Sequence, residues 1–110
     1  MTVPIDDVVS RYFELDAARD HGSLVALFAE NATVVDERQT WRGTDEIRAW
    51  RTGPASTYEY ATEIEDTTAL APNRRLVRGR LTGNFPGGVA DLCWDFTTND
   101  GLITRLVIAP

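Results

Sequence analysis

Lysine is absent from this 110-residue chain, and histidine, cysteine and methionine occur once each. Without lysine there is no Schiff-base nucleophile and no lysine general base. One histidine, His21, and one cysteine, Cys93, cannot supply the three or four ligands of a zinc site, so no metal centre is expected. A lone cysteine forms no disulfide within the chain, which makes a reducing compartment acceptable and the cytoplasm the expected one. Positive charge is also short: eleven arginines against seventeen acidic residues leave a net charge of -6. Nucleic acid and anionic membrane are therefore not expected as partners, since both are bound through positive surface. The longest uncharged run, LTGNFPGGVA, is ten residues, too short and too glycine-rich to cross a bilayer. The opening TVPIDDVVSR carries acids where a signal peptide would be apolar. No cofactor is expected, and the chemistry left to the chain rests on carboxylates, tyrosines and arginines.

What is present reads as one globular domain over residues 1–110. Hydrophobic residues make up 43% and charged residues 25%, the usual balance for a chain that folds around its own core. Residues 4–19 carry a helical period that puts Ile5, Val8, Val9, Tyr12, Asp16 and Arg19 on one face, flanked by Phe13 and Leu15. Pro4 suits a first turn, and Asp6 and Asp7 complement the positive end of the helix dipole. Asp20-His21-Gly22 breaks this helix, and a shorter one is expected from Ser23 to about Ala29, burying Leu24, Leu27 and Phe28. Residues 32–37 are β-branched and read as a short strand. Arg42-Gly43 makes a turn, Thr44 can cap a third helix with Ile47 and Trp50 on its buried side, and Gly53-Pro54 ends it.

From Ser56 the period becomes two. Tyr58, Tyr60, Thr62 and Ile64 alternate with Glu59, Ala61, Glu63 and Glu65, as on a half-buried strand. Turns at Ala71-Pro72-Asn73, Phe85-Pro86-Gly87-Gly88 and Asn99-Asp100-Gly101 separate three more strands, in one of which Leu92, Trp94 and Phe96 alternate with Asp91, Cys93 and Asp95. The order α-α-β-α-β-β-β-β, helices first and hairpin-linked strands after, predicts an α+β fold with an antiparallel sheet. A long twisted sheet with helices on one face curls around them and leaves a concave side for a small ligand.

Tyr12 lies on the apolar face of the first helix, so its hydroxyl needs a buried partner or a ligand. Asp36 ends a strand otherwise made of Ala32, Thr33, Val34 and Val35, and apolar surroundings disfavour the charged form of a carboxyl, which suits a general base. A carboxylate base and a phenol donor facing one cavity suit proton abstraction beside a carbonyl. The competing reading makes Tyr12 a core tyrosine and Asp36 the start of a solvated turn. Asp16, one helical turn after Tyr12, is a second pocket acid, a hydrogen-bond partner of Tyr12 across that turn, or a carboxylate paired with Arg19 or Arg42. Trp41, Trp50, Tyr58, Tyr60, Phe85, Trp94 and Phe96 either line a pocket for a flat apolar ligand or fill an ordinary core. Arg74, Arg75, Arg78 and Arg80 are expected to pair across the strands with Glu59, Glu63, Glu65 and Asp66.

The segment RYFELDAARDHGSLVALFAENATVVD, followed by WRGTDEIRAW, resembles the N-terminal half of the nuclear transport factor 2-like superfamily, in its ketosteroid isomerase-like and SnoaL-like branches. GNFPGGVADLCWDFTTNDGLITRLVI is similar to the C-terminal part of small SnoaL-like proteins. The resemblance implies a cone-shaped curved sheet wrapped around N-terminal helices, and a homodimer formed through the outer face of the sheet. It places Tyr12 at the oxyanion-stabilising tyrosine of the isomerases and Asp36 at their proton-shuttling aspartate. Their second oxyanion acid falls on Trp94 or Cys93, neither of which is an acid.

Three functions follow as expectations. The first is a cofactor-free isomerase, cyclase or dehydratase acting on a small apolar or carbonyl-containing molecule, with Asp36 as base and Tyr12 as oxyanion donor. The second is a ligand-binding module without chemistry, and the third an interaction domain whose cavity is filled by its own side chains.

Overall fold

The computed structural model describes residues 3–110. Three α-helices, α1 (Ile5–Ala18), α2 (His21–Val25) and α3 (Gly43–Thr52), pack against one curved, unclosed six-stranded sheet. The strands are β1 (Phe28–Asp36), β2 (Gln39–Arg42), β3 (Tyr60–Ala71), β4 (Arg74–Gly83), β5 (Val89–Asn99) and β6 (Leu102–Ala109). Their spatial order is β2-β1-β6-β5-β4-β3. This is the α+β arrangement the sequence predicts, with one exception in the sheet: β1 runs parallel to β6, while every other pair is antiparallel. The parallel pair arises because the meander β3 to β6 starts on the far side of α3 and returns its last strand to the flank of β1.

Helix α1 buries Ile5, Val8, Val9, Tyr12, Leu15 and Asp16, the expected stripe. Arg19 does not join it: its backbone is left-handed (φ 55°), which ends the helix and turns the side chain outward, where it donates to the carbonyls of Ser56 and Tyr58. The second helix is shorter than expected. It stops at Val25, and Phe28 already opens β1, because the Ile103 amide bonds the Leu27 carbonyl at 2.9 Å and Phe28 pairs with Ile103. Strand β2 is not legible as a strand in the sequence. Glu37 and Arg38 both take left-handed backbone (φ 51° and 64°), giving a tight hairpin without the glycine or asparagine that advertises one.

The core lies between the helices and the concave face of the sheet, where Val34, Val77, Phe96, Ile103 and Leu106 meet Tyr12, Leu24, Ile47 and Trp50. Strand β3 is one of the two sheet edges, the other being β2, and beyond Thr62 it leaves the helices, so Ile64 is exposed. Gly79 permits the close crossing of β3 and β4: a Cβ there would sit 2.6 Å from the Glu63 carbonyl and 3.2 Å from the Trp94 ring. The arginines of β4 pair differently from the sequence expectation. Arg80 bonds Asp91 directly across on β5, Arg74 bonds Asp95 diagonally on the same face of β5, and Arg75, on the opposite face, bonds Asp6 on α1.

Candidate active site

A cavity of about 440 Å³ opens between α1, α3 and the concave face of β4, β5 and β6. Tyr12 and Asp16 reach it from α1, Trp50 and Arg51 from the last turn of α3, and Asp36 and Glu37 from the end of β1. Leu81, Ala90, Leu92, Trp94 and Ile108 form its apolar floor, with Tyr58, Tyr60, Phe85, Pro86, Pro54 and Ala55 around the rim. The two-residue period of β5 explains the floor: Ala90, Leu92 and Trp94 face inward, while Asp91, Cys93 and Asp95 alternate to the other side.

Asp36 is held from one side. The indole Nε1 of Trp50, itself fully buried, donates to Asp36 Oδ2 at 2.9 Å, and this side-chain contact leaves Oδ1 free. Tyr12 is 2% exposed and clamped edge-on by Phe13, Phe28 and Phe96, with ring centroids 5.1–6.5 Å away. Among the described residues no group hydrogen-bonds its hydroxyl, and burial pushes its pKa far above that of a free phenol, with the Arg51 charge pulling the other way. Tyr12 therefore presents a neutral O–H donor at the cavity wall.

Elsewhere on the cavity lining Asp16 forms a buried pair. Arg51 Nη2 donates to Asp16 Oδ1 at 2.8 Å, and the Tyr60 hydroxyl donates to the same oxygen at 2.8 Å. Arg51, not Arg19 or Arg42, is thus the partner of Asp16: its side chain reaches from the last turn of α3 to α1, while Arg19 has turned outward and Arg42 stands before α3. Burial and the Asp16 charge hold the Tyr60 phenol up at about 12. Burial disfavours the Arg51 charge, but the Asp16 carboxylate bonded to it offsets that cost, so the guanidinium stays charged. Behind it, Arg51 Nη2 approaches His21 Nδ1 at 3.5 Å, and His21 Nε2 lies 3.1 Å from Ser56 Oγ, which donates to the Arg51 carbonyl. Since arginine only donates, Nδ1 is the acceptor and Nε2 carries the proton. Burial, with Arg51 and Arg19 nearby, lowers the His21 pKa and favours this neutral ring.

Of the residues singled out in the sequence, Tyr12, Asp16, Asp36, Trp50, Tyr58, Tyr60, Phe85 and Trp94 line this cavity. Trp41 and Phe96 stand outside it. Trp41 sits on β2 against Val34, and Phe96 is fully buried behind Tyr12 and Phe13. Arg51 escaped notice because an arginine near a helix end ordinarily reads as a solvated cap; the one available signal was its place beside Trp50 at the buried edge of α3. Among the described residues no three His, Cys, Asp or Glu side chains gather as a metal site.

Residues 9–106 match the SnoaL-like domain family. The chain belongs to that family. A Sinorhizobium meliloti protein provisionally named a polyketide cyclase is 34% identical, with a TM-score of 0.87 and 94% of each chain covered. Mycobacterium tuberculosis Rv0760c, solved in complex with estradiol-17β-hemisuccinate, shares the fold at 16% identity and a TM-score of 0.83, covering 100% of this chain and 95% of that one. The epoxide hydrolase/cyclase-like enzyme SalBIII, which acts in pyran ring formation in the polyether salinomycin, shares it at 18% identity and a TM-score of 0.81, covering 94% and 84%. A comparison with curated proteins gave no match. The SnoaL-like chain therefore has the ketosteroid isomerase-like, nuclear transport factor 2-like architecture that its sequence resembles. No helix among the described residues is long and apolar enough to cross a membrane.

Proposed function

We propose that this SnoaL-like protein is a cofactor-independent enzyme that abstracts a proton next to the carbonyl of a small, largely apolar molecule and so drives an isomerisation, cyclisation or dehydration. The observation that carries the reading is a carboxylate and an unpartnered phenol on one cavity wall system. Asp36 has one oxygen fixed by Trp50, and among the described residues its other oxygen has no partner and the neutral Tyr12 hydroxyl no acceptor. Asp36 Oδ1 takes the proton from carbon, the C–H electron pair becomes the enolate double bond, and Tyr12 donates to the oxygen that gains the charge. The cavity volume and apolar floor suit a flat molecule of a few rings, in keeping with the polyketide and steroid chemistry named for the similar structures. We place the enzyme in the cytoplasm as a homodimer joined through the outer face of its sheet; equilibrium sedimentation should give twice the 12.2 kDa chain mass.

The test is Asp36→Asn assayed on enolisable ketones. Turnover should vanish while the melting temperature stays close to that of the wild type and still rises on adding ligand. Retained turnover would remove Asp36 from the chemistry. A ligand-dependent rise in melting temperature, with no turnover by either protein, would favour a binding module, the reading supported by the steroid complex of the Mycobacterium protein.

A further inference from the structure

Arginine carries five N–H bonds, and the described residues take up only two from Arg51: Nη2 donates to Asp16 and, at the limit of hydrogen-bond distance, to His21. Among the described residues its Nε is buried without any acceptor. The side chain is 3% exposed. Asp16 does not grip it as a two-pronged fork either: the pair is the single Nη2–Oδ1 bond, on an oxygen that also accepts from Tyr60. A surface-type ion pair would not leave buried cationic donors unused, because each costs more than an unpaired neutral group. Arg51 lines the cavity, as does Tyr12, whose hydroxyl has no partner among the described residues, and the Arg51 charge is the strongest that acts on that phenol.

We propose that Arg51 is a second oxyanion donor, acting with Tyr12, and that the substrate is a neutral carbonyl compound. Arg51 thereby occupies the role left open where β5 presents Trp94 and Cys93 instead of an acid. The neutrality of the substrate follows from the lining charges. Asp16, Asp36 and Glu37 face the cavity against the single guanidinium, so a ligand that arrives as an anion is repelled. A neutral ketone or ester gains charge only on its oxygen, beside Arg51, as Asp36 takes up the proton. Bonds and charges balance without another reactant: the C–H bond breaks, a C–C π bond forms, and the carbonyl π pair moves to oxygen. The inference rests on the cavity holding such a substrate, but not on Asp36 being the base.

The probe is 4-nitrophenol, whose phenolate imitates an enolate and absorbs in the visible. It is bound to Asp36→Asn, which imitates the enzyme after Asp36 has been protonated. Bound probe should ionise at a pH about one unit below that of the free phenol. In Asp36→Asn/Asp16→Asn/Arg51→Met, which removes both members of the buried pair together, the shift should disappear. Arg51→Lys in the Asp36→Asn protein should restore part of it. A shift that persists in the folded triple variant, as judged by its melting curve, would overturn the proposal. So would failure of the Asp36→Asn protein to bind the probe. Because every protein in the comparison lacks the Asp36 carboxylate, failure of the base assignment would show in turnover and not in this titration.

Discussion

At the scale of single residues, the candidate site depends on how tightly a few side chains are held. Trp50 serves twice, filling the core with its ring and fixing Asp36 with its indole N–H. Trp50→Phe keeps most of the ring and loses the bond. It should cost about 2 kcal/mol in urea denaturation, from the lost volume and the lost hydrogen bond, and should lower kcat about tenfold as the carboxylate loses its orientation. Unchanged kcat would mean that Asp36 does not need Trp50. Tyr12, Asp36 and Trp50 were legible in the sequence because each breaks a local rule: a polar tip on an apolar stripe, a carboxylate ending a β-branched run, a large ring at the end of a short helix. Arg51 broke no such rule. Its burial comes from the packing of α3 against α2 and β1, which carries the side chain across to Asp16, a tertiary fact that helical periodicity around Ile47 and Trp50 only hinted at.

At the scale of elements, the buried pair ties α1 to α3, and Tyr60 brings the start of β3 to the same oxygen. Arg51→Met alone should destabilise the fold by about 3–5 kcal/mol, because it strands a buried carboxylate. Adding Asp16→Asn should recover part of that loss, so chemical denaturation of the four proteins should give a coupling of about 1–3 kcal/mol. Strict additivity would mean that the two side chains do not sense each other. The β1–β2 hairpin makes a separate prediction. Arg38 holds φ 64°, where a side chain costs about 1 kcal/mol. Arg38→Gly should raise the melting temperature by a few degrees, and a fall would refute the left-handed turn. Turn chemistry made β4, β5 and β6 readable, since Pro, Gly, Asn and Asp stand at their junctions. The Glu37-Arg38 turn carries none of these, and so β2 stayed hidden.

At the scale of the whole molecule, the sheet's curvature sets the cavity between its concave face and the helices, and buried phenols face that space. This has a consequence for alkaline stability. Tyr60 holds its proton up to about 12 in the folded chain and Tyr12 higher still, both chiefly through burial, whereas an unfolded tyrosine releases its proton near 10. The folded state therefore binds more protons above pH 10, and its stability should be complete below that pH and fall as the pH rises from 10 through 12. Melting temperatures recorded from pH 8 to 11.5 should drop steeply above 10, and less steeply in Tyr60→Phe. An equal slope in both proteins would show that Tyr60 titrates as a free phenol. Composition, helix order and strand alternation were enough to anticipate the α+β class. The single parallel pair β1–β6 was not, because nothing local to either strand records its neighbour.

The central claim, that Asp36 removes a proton from carbon with Tyr12 supporting the developing oxyanion, can be tested without knowing the natural product. The measurement is the exchange of the α-hydrogens of 2-tetralone, a flat neutral ketone, with solvent deuterium, followed by NMR. The wild-type protein should accelerate exchange catalytically, Tyr12→Phe should be slower by about 10²–10³-fold, and Asp36→Asn should fall by a further factor to the rate in buffer. Exchange by Asp36→Asn at the wild-type rate would contradict the account.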